Sequence, residues 1–407
     1  MIFKTIPIIL LLLFNNTFGQ FSLYLENKIP VNRNQVSCLK INNDGRFLAA
    51  GTKHGVVYIF DLQAKRLIHS LNYHRSQVNC LLFDSKNQYV ISGADDKKIV
   101  LWDMYSGQII KTIEDFKSQL NCLALSPDDK MLVAGGSKNE IYTWEFPSGF
   151  LKGVLKGHKN DVISLSFNLN GDQLLSIGRD KLMIVWDVGR QQLVRKTEIE
   201  SKTMNNSGID VNSARFSFDK YFVGIGMQER VLAKGGKQMI FRYNLGFYEW
   251  KTGTEIEIIQ GNKTDINFFA ITPDKNYAIT DNSTLRQNRL SFWNIKSGVV
   301  DQNYPIDGKI SAIEISENGK WLAGAYAPRT SNSVINVWQI SGMEGYQRFS
   351  SSSQIKSATS SGFGSSMKLT TPDAPLIQFG ERKKIAVMYF DSPRKLNRLP
   401  VLASVLR

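Results

Sequence analysis

Cysteine and histidine are scarce in this 407-residue chain, at three and four residues. An odd cysteine count cannot pair completely within one chain, which argues against a disulfide framework. The four histidines are scattered, with His54 and His69 isolated in loop or edge positions. They fall short of a metal site of ordinary ligand count. No glycine-rich phosphate loop, paired-cysteine motif or nucleophile elbow is present. Acidic residues are outnumbered 36 to 50, for a formal net charge of +14. Long apolar runs are missing too: none reaches the roughly 20 residues that a membrane-spanning helix needs.

What is present is repetition. Residues 157–187 open on Gly-His, pass through two alternating apolar runs split by a turn, and close on Trp-Asp. Residues 74–103 follow the same plan. In both copies the His lies 28 residues before the Trp, the Ser 10 before it and the Asp 6 before it. Two tetrads result: His74, Ser92, Asp96 and Trp102, then His158, Ser176, Asp180 and Trp186. A Gly-His…Trp-Asp unit recurring every 40–45 residues marks one four-stranded propeller blade. On these residues the chain resembles the WD-repeat family. The resemblance covers about residues 21–341 and is specific in repeats two to four.

Aligning on the aromatic that ends each third strand gives Phe60, Trp102, Trp144, Trp186, Tyr248, Trp293 and Trp338. Seven repeats follow, with turn signals between half-buried alternating runs. The fold expected is all-β, a seven-bladed propeller of four-stranded antiparallel blades. The family's habit of closing the last sheet with an N-terminal strand assigns Phe21 to Ile29 to the blade ending at Trp338, which removes exposed edges. The resemblance also implies that each tetrad is structural, tying the loop before a blade to its third strand. It therefore argues against a catalytic His158–Asp180 pair. The His slot is Asn32 in the first repeat and Phe116 in the third.

Cys38, Cys80 and Cys122 lie 42 residues apart in the same local frame. Equivalent positions on successive blades sit about 10 Å apart, and a disulfide needs Cα atoms within about 7 Å. Small buried residues are expected there, neither bridges nor metal ligands.

From the end of the second strand to the aromatic, the first four repeats take 10 residues. The last three take 24, 13 and 14, and six more residues precede the second strand of the fifth repeat. By strand parity these insertions decorate one end of the barrel. As loops, they would place Arg230, Lys234, Lys237, Arg286, Arg289 and Arg329 there as a candidate binding face.

Around this body the chain divides further. Residues 1–19, an apolar run followed by small residues, read as a secretory signal cleaved before Gln20. Residues 20–341 form the propeller, and 342–380 a flexible linker whose stretch 349–366 holds nine serines. Residues 381–407 are a basic tail with one strand, Ile385 to Asp391, and a helix opening near Leu399. They suit either the start of a truncated α/β domain or a segment that docks on the propeller or on a partner. The sites at Asn205, Asn262 and Asn282 match the glycosylation pattern and would matter only in a host that glycosylates.

The function expected is a non-catalytic protein-protein interaction scaffold, exported to the periplasm or the extracellular space. It would act as a monomeric propeller that takes a protein partner, with no cofactor, no metal and no nucleic acid; the positive charge suits an anionic polymer, an acidic partner or plain solubility. Two rivals stand beside it. One is an accessory propeller of a larger envelope protein or enzyme whose active domain follows residue 407. The other is a propeller that binds an anionic glycan or ligand.

Overall fold

A computed structural model describes residues 21–31, 35–200, 209–232, 239–284, 287–326 and 333–343, and the backbone of 376–379 and 383–386. The signal segment and the loop residues Lys234, Lys237, Arg286 and Arg329 lie outside the described residues. So do the first-repeat His slot, Asn32, and the first glycosylation-pattern residue, Asn205.

Every repeat becomes one antiparallel four-stranded sheet. The first blade shows the plan: Val36–Ile41, Phe47–Thr52, Val56–Asp61 and Arg66–Asn72 pair in sequence order. One turn chemistry recurs between first and second strands. A side-chain oxygen at the turn's start accepts the backbone N–H five residues on: Asn42 from Phe47 at 2.8 Å, Asp84 from Tyr89 at 2.7 Å, Ser126 from Met131 at 2.9 Å. Asn168, Ser217, Thr272 and Ser316 do the same in the other four blades. Three residues after each acceptor the backbone turns left-handed, as at Gly45, Asn87 and Asp129. Short polar side chains satisfy the turn locally, which is why Asn, Asp, Ser and Thr occupy that slot.

The inner strands contact one another in order, and the seventh (Ile310–Ile315) returns to the first, closing a ring. Inner-strand side chains bond across that ring to the next blade: Ser37 Oγ to the Val78 carbonyl, Asn79 Nδ2 to Leu120, Asn121 Nδ2 to Val162. Ser22–Val31 pairs antiparallel with Ser333–Ser341 as the outer strand of the seventh blade. Ile29 and Val31 of that strand pack with Val36, Leu39 and Leu48 of the first blade. Burying such a side chain stabilises by about 1.5–3 kcal/mol each. The closing strand thus joins the first and last strands of the propeller to one core.

The fifth blade departs from the sequence reading. Its insertion is not a loop but an extended hairpin, Phe222–Leu232 against Met239–Glu249, in register from Phe222↔Glu249 to Leu232↔Met239. Near its tip Met239, Ile240 and Phe241 are exposed. Solvent bathes both faces there, so the segment lacks the inside–outside alternation that marks a strand in sequence.

Residues 348–407 form a separate unit. Within it Leu376–Phe379 pairs antiparallel with Lys383–Ala386. The stretch read as linker up to residue 380 therefore contains a strand, and the strand expected from Ile385 starts earlier and has a partner. Among the described residues no helix is long and apolar enough to cross a membrane.

Candidate functional site

Each tetrad assembles from two strands, a loop and a turn. His158 sits in the loop entering the fourth blade, Ser176 on its second strand, Asp180 in the next turn and Trp186 on the third strand. The Trp186 indole donates to Ser176 Oγ at 2.8 Å, and Ser176 Oγ lies 2.7 Å from His158 Nε2. His158 Nδ1 faces both Asp180 oxygens at 3.0 and 3.1 Å. The second blade repeats the chain with Trp102, Ser92, His74 and Asp96 at 2.9, 2.8 and 3.0 Å.

Burial holds His74 below the ordinary histidine value, against the pull of the Asp96 carboxylate. Burial pushes the Asp180 carboxyl up, but hydrogen bonds from His158 and the Lys159 amide outweigh it and leave it below the usual range.

The connectivity is that of a Ser-His-Asp triad, yet it is closed to substrate. Both serine side chains are fully buried, and the tryptophan N–H takes the oxygen that would attack. A nucleophile must reach a carbonyl beside an oxyanion hole, and this oxygen faces protein on every side. The arrangement does something else. Asp96 also accepts the Arg75 amide at 3.0 Å, and Asp180 the Lys159 amide at 2.7 Å. The acid therefore fixes the backbone of a cation next to the histidine.

A third set went unread in the sequence. In the sixth blade Trp293 Nε1 donates to Thr280 Oγ1 at 2.9 Å, Thr280 donates to Asn262 Oδ1 at 2.8 Å, and Asn282 Oδ1 accepts the Lys263 amide at 2.8 Å. Asn262 and Thr280 keep the 18-residue spacing of His and Ser, which was the available signal. Both Asn262 and Asn282 are buried, so neither side-chain amide is open to glycosylation in the folded chain.

The third blade solves the same space apolarly. Phe116 and Ala134 replace His and Ser, and Tyr142 stacks on Trp144 at 5.8 Å. Its Trp144 Nε1 is buried without a partner.

Of the six cations proposed for the insertion face, two are described. Arg230 pairs with Asp210 (2.5 and 3.1 Å), and Arg289 Nε donates to the Asn282 carbonyl at 3.1 Å. Both are thus engaged within the chain. Other cations stand exposed at the same end, in the loops of the first four blades: Lys53, Arg75, Lys97, Lys117, Lys138 and Lys159. Arg75, Lys117 and Lys159 follow the His slot at 42-residue intervals, a periodicity legible in the sequence.

Inside the ring, Glu314 of the seventh blade is buried between Lys40 at 2.7 Å and Arg215 at 2.8 Å. Arg215 reaches it from the fifth blade, past the sixth, and also donates to the Ile313 carbonyl. The three cysteines are free thiols, Cys122 buried and Cys38 and Cys80 half-buried. Burial raises all three, Cys38 to about 12, which keeps them protonated and poor metal ligands. Among the described residues no group of three or more His, Cys, Asp or Glu side chains is placed to hold a metal ion.

Two family models match the chain. One, described as a Vps42 beta-propeller, covers residues 26–152. The other, a WD domain or G-beta repeat, covers residues 149–187, the fourth repeat. No curated protein matches. The chain carries a seven-bladed β-propeller whose fourth repeat matches the WD repeat.

Proposed function

We propose that the protein is an exported, non-catalytic scaffold that holds a protein partner at the end of the barrel bearing the blade-entering loops. WD-repeat propellers are generally interaction scaffolds. The observation that carries the reading is the fifth-blade hairpin. It runs past its own sheet, and Met239 and Phe241 near its tip are each 50% exposed. An isolated two-stranded ribbon with apolar side chains in water has little of its own to stabilise it. A partner that covers those side chains supplies the missing burial.

A photocrosslinking residue in place of Phe241 tests this in the native host. The comparison is the same residue in place of Leu169, exposed at the opposite end of the barrel. A defined protein adduct from the Phe241 position alone supports the reading. Equal adducts from both positions, or none from Phe241, would overturn it. Export is tested by the mature N-terminus of the cell-envelope or secreted fraction, which is expected at Gln20.

A further inference from the structure

We infer that the partner presents an acidic peptide segment with an apolar anchor, bound across the exposed cations of the first four blades beside the fifth-blade hairpin. The inference deepens the scaffold reading and rests on it.

Three observations carry it. First, the cations stand on rigid loops. In each of blades one to four a backbone bond joins the turn after the second strand to the loop entering that blade. These run Lys53 to Gln35, Asp95 to Gln77, Ser137 to Gln119 and Arg179 to Asp161, at 2.8–3.0 Å. The tetrad acids hold the Arg75 and Lys159 backbones as well. The first turn packs closely besides: a Cβ on Gly55, at φ +83°, would lie 2.1 Å from the His74 carbonyl oxygen. Preorganised charge loses little freedom on binding.

Second, none of these cations is held in an ion pair, although Lys138 lies close enough to Glu140 to help keep that carboxyl low. Lys53, Arg75, Lys97, Lys117, Lys138 and Lys159 make no ion pair among the described residues. The acids of the same loops are nearly all committed. Asp96 and Asp180 lie in tetrads, Asp95 accepts from Asn79, Glu114 pairs with Lys98 at 2.5 Å and Asp161 with Arg179 at 3.7 Å. Asp115 alone among them is exposed and unpaired. The opposite end is mixed. There Arg46 pairs with Asp61 at 3.0 Å, Lys130 with Asp128 at 3.4 Å and Lys275 with Asp219 at 2.6 Å, while Lys86, Lys296 and Lys320 are exposed outside any ion pair among the described residues.

Third, the hairpin of the neighbouring fifth blade sets Met239, Ile240 and Phe241 at that end. Charge alone suits any polyanion. Cations flanked by exposed apolar side chains suit a peptide that carries carboxylates and an aromatic or aliphatic residue, since a sulfated or uronic glycan offers the hairpin nothing to bury.

The test is fluorescence anisotropy on the full chain. The probe is a labelled peptide of roughly a dozen residues, rich in Asp and Glu and ending in Phe-Leu. Binding should weaken as salt rises from about 0.05 to 0.5 M. Replacing the six cations by Ser should weaken it by roughly tenfold or more and flatten the salt dependence. A Met239→Ser, Ile240→Ser, Phe241→Ser variant should weaken it severalfold without changing the salt slope. Exchanging each Lys for Arg and Arg75 for Lys should preserve binding. Should the six-fold variant melt early, Lys53→Ser, Lys97→Ser and Lys138→Ser, none beside a tetrad histidine, give the same reading alone. Unchanged binding in the cation variant overturns the inference. So does equal or tighter retention of a polygalacturonate oligomer that ignores the hairpin changes. In either case a specific Phe241 adduct would leave the scaffold reading standing.

Discussion

The third and fourth blades fill the same space in opposite ways. In the fourth, four polar side chains form one donor–acceptor chain from Trp186 through Ser176 and His158 to Asp180. In the third, Phe116, Ala134 and Trp144 pack as hydrocarbon, and one indole N–H goes without a partner. The comparison teaches that the unit of substitution is the set, not the residue. A buried polar group stabilises only when its whole chain of partners is present, and removing one member exposes the desolvation cost of the rest.

The largest effect should come from mixing the two solutions. His158→Phe leaves the Ser176 hydroxyl and the Asp180 carboxylate short of a partner, and should cost about 3 kcal/mol in chemical denaturation. Adding Ser176→Ala and Asp180→Lys, which copies the third blade, should recover most of that loss. A triple variant as unstable as the single one would break the comparison.

Acid should act next. His74 sits below its ordinary value of 6.5 because burial resists the charged ring. Between those two values the unfolded chain holds more proton than the folded one, so stability falls as pH drops below about 6.5. Asp180 is also held below its ordinary 3.8, and its contribution is lost as pH falls further through that value. Each group gives a slope of at most about 1.4 kcal/mol per pH unit. Melting curves from pH 8 to 5 should show the first decline, and His74→Gln should flatten it.

A smaller gain is expected in the third blade. Ala134→Ser places a hydroxyl where Ser92 and Ser176 meet their tryptophans, and should stabilise by about 1 kcal/mol by accepting the Trp144 N–H. No gain would mean that Phe116 or Tyr142 keeps the hydroxyl from turning. Smallest of all, Arg230→Ser removes an ion pair whose partners are each about half exposed, and should change stability by less than about 0.5 kcal/mol.

Legibility followed distance along the chain. The tetrads of the second and fourth blades were readable because every member sits at a fixed offset within one rigid strand–turn–strand unit. The sixth was missed because Asn262, Thr280 and Asn282 substitute chemically for His, Ser and Asp, while the interval from Thr280 to Trp293 grows to 13 residues. The fifth-blade hairpin was read as loop because its tip has no buried face to impose a pattern. The candidate cations of the insertions stand out in the sequence by charge alone, yet Arg230 and Arg289 are engaged by neighbours, and the unpaired Lys53, Arg75, Lys97, Lys117, Lys138 and Lys159 belong to the regular repeats.

The sequence by itself determined the number of blades and their turns, because these depend on local periodicity and on side chains that bond within a few residues. The closing strand was legible only through the resemblance to the WD-repeat family. Only the tertiary structure decided which charges are free, which buried polar atoms find partners, and that Arg215 reaches Glu314 past an intervening blade. Those contacts join residues as far apart as 274 positions, as Lys40 and Glu314 are. They exist only once the ring has closed, and no local pattern records that closure.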